Sequence, residues 1–206
     1  MTTAQEVIDL ARNGELKQLA IKTDVDAVIG FINLGLLELY KRFPIETKEF
    51  IITMVNGVGE YSLPSDFMWI VSAYGEVPIN GTQITVNQLP INDETDPLSI
   101  NTVAWNKVQI PSGVTGEYVS VIYVPSPVPV TTLTLTDPLP IPDQFIEALL
   151  NYIGYRGHGS VDGKINTESN THYQRFEASI ARIAQYSMFT EESMSMANRV
   201  IDKGFV

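Results

Sequence analysis

The chain has 206 residues, of which 44% are hydrophobic and 18% are charged, with a formal net charge of −11 and no cysteine. This composition is typical of a globular protein with one domain or two small ones, and it excludes disulfides, thiolate metal sites and disorder along the whole chain. Only 13 residues are Lys or Arg, so the chain lacks the basic surface that tight nucleic-acid binding requires.

Two helices are predicted in the N-terminal part of the chain. The first is short and amphipathic and spans residues 3–12. The second is long, with Thr23 expected as its N-cap and Asp26 as the acidic residue three positions later. It runs to about Arg42, because Pro44 disfavours helical geometry in the residue before it.

The centre of the second helix is unusually apolar, since Asn33 is the only polar side chain in residues 27–37. A helix that is apolar all round must be covered on every side, and this segment is about half the ~20 residues needed to cross a bilayer. We therefore expect other copies of the protein to cover part of it, and a bulky residue at Gly35 to impair assembly more than folding. The candidates for the contact between subunits are Val28, Phe31, Leu34 and Gly35.

The middle of the chain is predicted to be β-rich. Strand-like stretches occupy residues 49–55, 61–63, 68–74, 77–79, 83–86, 108–111, 118–124 and 132–135. The first two are expected to form a hairpin through the turn at 56–59, and Asn80-Gly81 is a strong type I′ turn signal. Residues 87–102 are expected to form a polar, acidic loop.

Two more helices are predicted in the C-terminal part, over 143–156 with Pro142 as the first residue, and from about Ser169 onward. The predicted fold class is α+β: a helical bundle from both chain ends with an inserted antiparallel β-rich, sandwich-like subdomain. The expected divisions are 1–46 with 138–190 for the bundle, 47–137 for the insertion and 191–206 for a C-terminal docking tail.

The order of these signals resembles that of the head-to-tail adaptor proteins of tailed bacteriophages, especially the short-tailed ones. The long helix ends in LELYKRFP at 37–44, and the strand-turn-strand unit at 47–63 is closed by LPSDF at 63–67. After the β region, VIYVP at 121–125 leads to LPIP at 139–142 and a helix. The resemblance extends over about residues 20–185 and rests on order and spacing.

This resemblance implies a virion structural protein at the head-tail junction, made in the host cytoplasm. In that family a homo-oligomeric ring, typically a dodecamer, docks on the portal protein, contacts downstream tail or nozzle proteins and passes the genome through its channel. The role is mechanical, so the resemblance implies no catalytic residue, no cofactor and no membrane. An acidic channel suits this role because it repels the phosphates of passing DNA.

Partner docking is expected from segments that lack the apolar pattern needed to fold alone, since such segments commonly become ordered on binding. The loop at 87–102 and the C-terminal tail are of this kind. The candidates for portal docking are Arg199, Val200, Lys203, Phe205 and Val206.

An alternative interpretation is a β-sandwich binding module that recognises a glycan or a protein receptor. A sugar-binding face could be formed by the aromatic residues of the β region, namely Trp69, Trp105, Tyr61, Tyr74, Tyr118 and Tyr123. Aromatic residues on strands are more often part of the core.

Enzymatic and metal-binding functions are disfavoured because no motif supports them. His158 and His172 are expected as an exposed loop residue and a helix-start residue, without a third ligand at a suitable spacing. The acidic run at 93–96 lacks the glycine and the distal glutamate of an EF-hand loop. Acidic pairs such as Glu60 with Asp66 are expected to be surface charges, and no G-x-S-x-G motif occurs.

Overall fold

The computed structural model of the chain describes residues 1–79, 83–161 and 167–185, with side chains for all of these except 76–79, 83–86, 160 and 161. Two compact units are present. The helical unit consists of Met1–Phe43 and the described residues from Pro127 onward, and the β unit is Pro44–Ser126. The predicted α+β class is confirmed, with helices towards both ends of the chain and antiparallel sheets in the middle.

The described part of the helical unit contains four α-helices. They are α1 (Ala4–Asn13), α2 (Val25–Arg42), α3 (Ile146–Val161) and α4 (Thr167–Gln185). Helix α3 contacts each of the other three and is therefore the central helix of the bundle. Short 3-10 turns at Ala20–Thr23 and Asp143–Phe145 precede α2 and α3. Within the described residues, no helix combines the length and the apolar character that crossing a bilayer demands.

The two N-terminal helices begin at side-chain caps. Thr3 caps α1 in a capping box, in which its hydroxyl accepts from the Glu6 N–H at 3.2 Å and the Glu6 carboxylate accepts from the Thr3 N–H at 2.8 Å. Helix α2 is capped by Asp24, whose carboxylate accepts the N–H three residues later at 3.0 Å. The prediction that Thr23 is the cap is wrong, because its hydroxyl donates to a carbonyl of the preceding 3-10 turn.

Aromatic side chains fill the core of the helical unit. Phe145 is fully buried and packs edge-to-face on Phe43, with ring centroids 5.2 Å apart. Tyr40 is also fully buried, and its hydroxyl donates to the Pro140 carbonyl at 2.7 Å. This bond ties α2 to the segment that leads into α3. Breaking it would leave a buried hydroxyl without a partner, which costs about 1–3 kcal/mol.

The β unit contains two antiparallel sheets. The first has the strand order β1-β7-β3-β4, formed by β1 (Lys48–Thr53), β7 (Tyr118–Pro125), β3 (Phe67–Ile79) and β4 (Gln83–Leu89). The second has the order β2-β6-β5, formed by β2 (Glu60–Ser62), β6 (Lys107–Gln109) and β5 (Asn101–Ala104). One apolar core joins them, since buried side chains of both sheets, such as Val121 and Val108, belong to the same cluster.

Strand pairing in the β unit corrects two predictions. The expected hairpin between residues 49–55 and 61–63 is wrong, because β1 pairs with β7 and β2 pairs with β6. The turn at 56–59 instead carries the chain from one sheet to the other. The Tyr61 hydroxyl holds that turn, accepting from the Val55 N–H at 2.9 Å and donating to the Val58 carbonyl at 3.1 Å. Residues 132–135, predicted as a strand, form turns within the helical unit.

The long hairpin β3–β4 agrees with the sequence prediction. Its last described pair is Ile79 with Gln83, which leaves three residues between the strands, one more than the two-residue type I′ turn predicted at Asn80-Gly81. Those two turn residues lie outside the described part of the chain. Strand β3 is longer than predicted because it continues without a break from Phe67 to Ile79.

Candidate functional site

The apolar segment at 27–37 of α2 is largely covered by the helical unit itself. Val28 and Ile32 are fully buried in the unit's own core. Asn33, its one polar residue, is also satisfied within the unit, since its side chain accepts from the Val130 N–H at 2.7 Å and donates to the Val130 carbonyl at 2.9 Å. The apolar surface that remains for a neighbour is therefore small.

The four candidates for the contact between subunits separate into two pairs. Val28 and Gly35 are buried against other parts of the helical unit, whereas Phe31 is half-buried and Leu34 is 40% exposed. The pair Phe31 and Leu34 is thus the part of this surface that a second copy can reach without a change in the fold.

Gly35 lies at a close approach of two helices within the unit. A Cβ atom added there would be 2.5 Å from Leu149 Cδ1 and 3.2 Å from Tyr152 Cδ1, both on α3. The absence of a side chain at Gly35 therefore lets α2 and α3 pack tightly, a role in folding that the apolar run alone did not indicate.

The candidates for portal docking, Arg199, Val200, Lys203, Phe205 and Val206, lie outside the described residues. The acidic loop, the other expected docking element, is shorter than predicted because β4 extends to Leu89 and β5 begins at Asn101. It is organised by its own hydrogen bonds: Asp93 accepts from the N–H and the hydroxyl of Thr95, which lowers the pKa of that carboxyl. The loop is therefore structured without a partner.

The two histidines form a stacked pair inside the helical unit. Their rings are 5.0 Å apart between centroids, at an angle of 20°. His158 is buried on α3, with Nε2 3.1 Å from the Glu15 carbonyl and Nδ1 2.9 Å from the Glu168 carboxylate. The expectation of an exposed loop residue and a helix-start residue is wrong, because α3 continues to Val161 and His172 lies within α4.

Two glycines of α3 allow the close packing around this pair of histidines. Gly154 and Gly157 lie inside α3, where a Cβ atom at Gly154 would come within 2.7 Å of the His172 ring and one at Gly157 would collide with Leu16. The lack of a side chain at these two positions, one helical turn apart, lets His172 and Leu16 pack closely against α3. Among the described residues, no group of three His, Asp or Glu side chains is placed to hold a metal ion.

Acidification is expected to destabilise the helical unit through His172. Burial, the neighbouring His158 and Arg175 keep the pKa of His172 below its usual value near 6.5, opposed by Glu15 and Glu168. Below about pH 6.5 the unfolded chain therefore binds more protons than the folded chain, so the free energy of unfolding falls with pH until the folded-state pKa is passed.

Urea unfolding followed by circular dichroism at about pH 7 and about pH 5.5 measures this effect. The variant His172→Phe keeps an aromatic ring against His158 and removes the titrating group, so its midpoint should change less between the two pH values. If the midpoint changed equally between the two pH values in both proteins, the assignment to His172 would be contradicted.

The aromatic residues of the β unit do not form one exposed face. Tyr123 is 3% exposed and belongs to the core, with its hydroxyl 3.0 Å from the Asp66 carboxylate. Tyr61 packs against the same core and holds the turn at 56–59. Trp105 differs from the other five residues of the predicted face because it is 69% exposed, whereas they are buried or half-buried.

Trp105 lies at the tip of the hairpin that joins β5 to β6. Val103, 47% exposed, and the exposed Ala104 precede it, and Asn106 follows. We call residues 103–106 the hairpin tip. This uncharged and mainly apolar projection is a candidate interaction surface, since an exposed tryptophan offers a large contact area at little cost in conformational entropy.

A groove lies at the other end of the same three-stranded sheet. It is formed by residues 54–59, Tyr61 and part of the segment 110–116, and it has a volume of about 530 Å³. None of its lining residues is charged. The Ile110 N–H donates to the Gly59 carbonyl beside the groove, whereas the Leu63 N–H donates to the Asn106 carbonyl beside the hairpin tip. The two surfaces are therefore at opposite ends of β6.

The comparison with known families covers both units. Residues 2–200 match the family model described as SU10 adaptor protein. No curated protein is significantly similar to the chain in sequence. The family match extends over nearly the whole chain, including the hairpin tip, the groove and the apolar helix α2. The chain therefore belongs to the SU10 adaptor protein family and is a phage adaptor-type structural protein, a component of the virion.

Proposed function

We propose that copies of this chain form a homo-oligomeric ring, a dodecamer, between the portal protein and the downstream tail or nozzle proteins of a short-tailed phage. The genome passes through the channel of this ring. The observation that carries the proposal is the match to the adaptor family over residues 2–200. The protein acts mechanically in this role and uses no catalytic residue or cofactor.

The charge of the chain supports the role of a DNA conduit. At a formal net charge of −11 for each copy, a ring of many copies carries a strongly negative potential. DNA phosphates are repelled by such a surface, and the few Lys and Arg residues give little basis for tight binding. The genome can therefore move through the ring without being retained.

The surface of α2 supports a contact between copies in this ring. A ring requires a heterologous interface, in which two different patches of neighbouring copies meet and the rotation closes. Phe31 and Leu34 provide one apolar patch of the helical unit that is only partly covered by the unit itself. We assign this patch to the contact between neighbours, and the tail at 191–206 to the contact with the portal.

Mixing the purified chain with portal rings of the same phage tests the proposed function. The expected result is a stable complex in size-exclusion chromatography, with a ring of this chain beneath the portal in electron micrographs. Deletion of residues 194–206 should weaken portal binding by about tenfold, which corresponds to about 1.4 kcal/mol of contact energy.

The chain alone can remain monomeric in this experiment without contradicting the proposal, because the portal provides the template for the ring. Absence of any complex with intact portal rings would contradict it. Equal portal affinity of the full-length and shortened chains would refute the assignment of the tail while leaving the ring itself in place.

A second candidate function is recognition of a glycan or a protein receptor by the β unit, and the exposure of Trp105 is the observation in its favour. Binding of the purified chain to a glycan array, lost in the variant Trp105→Ala, would support this function over the ring.

A further inference from the structure

We propose that the hairpin tip at 103–106 of one copy inserts Trp105 into the groove of a neighbouring copy, formed by residues 54–59, Tyr61 and the segment 110–116. This inference rests on the proposed ring and names one of its contacts. The partner is a second copy of the same chain, and the inserted group is the indole.

The tip and the groove are placed as a head-to-tail contact in a ring requires. The tip and the groove are at opposite ends of the β2-β6-β5 sheet within one compact unit. Insertion of the tip of one copy into the groove of the next repeats the same contact from copy to copy. Such a head-to-tail contact is heterologous, and it closes into a ring where the rotation between copies permits.

The size of the groove also suits an indole. The groove has a volume of about 530 Å³, which is within the roughly 300–1,000 Å³ typical of sites that enclose a small molecule and is ample for one indole. Its turn exposes apolar side chains, with Val55 57% and Val58 46% accessible. Insertion removes the tryptophan and these two valines from water together, which is favourable because all three expose apolar area.

Charge permits a second copy as the occupant. Copies that each carry a net charge of −11 repel one another, so contact is favoured where carboxylates are absent. The residues of the tip and those lining the groove are all uncharged. The charged pair between them on the sheet, Lys107 and Glu60, is 3.8 Å apart and compensates itself.

The contact is too small to hold two isolated copies together. A tryptophan buries roughly 150–250 Å², whereas stable interfaces bury roughly 1,200–2,000 Å² in total. Weak association in solution is therefore expected, with the contact populated when copies are held side by side on a portal. Covalent cross-linking detects such a weak contact both between copies in solution and between copies held on a portal.

Cross-linking provides the test, and the chain is suited to it because it contains no native cysteine. One sample carries Ala104→Cys, which leaves Trp105 in place, and the other carries Val58→Cys at the groove. The two variants are mixed, with and without portal rings, and treated with a short bismaleimide. Because each chain has one cysteine, any Ala104→Cys product with Val58→Cys joins two copies.

In the matched control, the second sample carries Leu133→Cys instead of Val58→Cys. Leu133 is 92% exposed and lies in the helical unit. We expect the tip and groove variants to cross-link at least about tenfold faster than the control pair, equivalent to about 1.4 kcal/mol of preference. Adding Trp105→Ala to the Ala104→Cys chain should remove this preference. Its thermal unfolding should remain unchanged, because Trp105 is mostly exposed.

Each outcome decides between the two proposals. Rings on the portal without preferential cross-linking would overturn the tip-and-groove contact and leave the proposed function intact. Preferential cross-linking without any portal complex would support the contact and overturn the adaptor ring. Cross-linking that persists in the Trp105→Ala chain would show that the indole is not the inserted group. Glycan binding that depends on Trp105, found together with no preferential cross-linking, would instead assign the tip to recognition of a receptor.

Discussion

Replacement of Leu149 by alanine is expected to lower the free energy of unfolding of the helical unit by about 2–5 kcal/mol. Leu149 is fully buried on α3, where its Cδ1 atom lies against Gly35 of α2. Truncation removes apolar contacts and leaves a cavity that closely packed helices close only in part. Urea unfolding followed by circular dichroism near 222 nm measures the loss, because the helices dominate that signal.

Leu133→Ala is the matched control for this variant. It removes the same atoms from the same unit, but Leu133 is 92% exposed, so a change within about 0.5 kcal/mol is expected. Similar losses for the two variants would contradict the position of Leu149 in the core.

Replacement of Gly35 by leucine is expected to destabilise the helical unit by about 1–3 kcal/mol, since a side chain there forces Leu149 and Tyr152 from their positions. Gly30→Leu is the control on the same helix. Gly30 is exposed and a Cβ atom there meets nothing within 4 Å, so the higher helix propensity of leucine should add up to about 1 kcal/mol. Thermal unfolding of both variants compares the two sites.

The variant Gly35→Leu also separates folding from assembly. The hypothesis from sequence predicts that assembly is impaired more than folding, whereas the packing of α2 on α3 predicts a substantial loss of stability. A normal unfolding midpoint combined with failure to join a portal-bound ring would support the hypothesis from sequence and contradict the packing argument.

A double-mutant cycle tests whether Gly35 and Leu149 are in direct contact. Gly35→Ala adds a methyl group where Leu149→Ala removes one side of the contact, so the new atoms occupy part of the cavity. The double variant should therefore lose less stability than the sum of the single variants, by more than about 0.5 kcal/mol. Additive losses would indicate that the two sites are independent.

Local patterns predicted the elements that depend on neighbouring residues. The helix at the start of the chain, the end of α2 before Pro44 and the pairing of β3 with β4 as a hairpin all follow from signals within a few residues of each site. The sequence prediction ends this helix at 156, whereas α3 contains Gly154, Gly157 and Gly159 and continues to Val161. Close packing of His172 and Leu16 against the first two of these glycines explains their presence inside a helix.

The pairing of strands could not be predicted in the same way. Residues 49–55 and 61–63 have the alternation and the intervening turn of a hairpin, yet β1 pairs with β7 and β2 with β6. Both arrangements satisfy the local turn chemistry. The choice between them depends on which faces are buried between the two sheets, and that is a property of residues at least 45 positions apart in the chain.

The sequence by itself determined the α+β class, the boundaries of most elements, the acidic charge and the order of signals shared with phage adaptors, because these depend on composition and local periodicity. Only the tertiary structure decided that α2 is covered mainly by its own unit, that the two histidines stack, and that Trp105 and the uncharged groove lie at opposite ends of one sheet. Burial and proximity arise from contacts between distant parts of the chain, and the amphipathic pattern of a single element does not specify which neighbour will cover it.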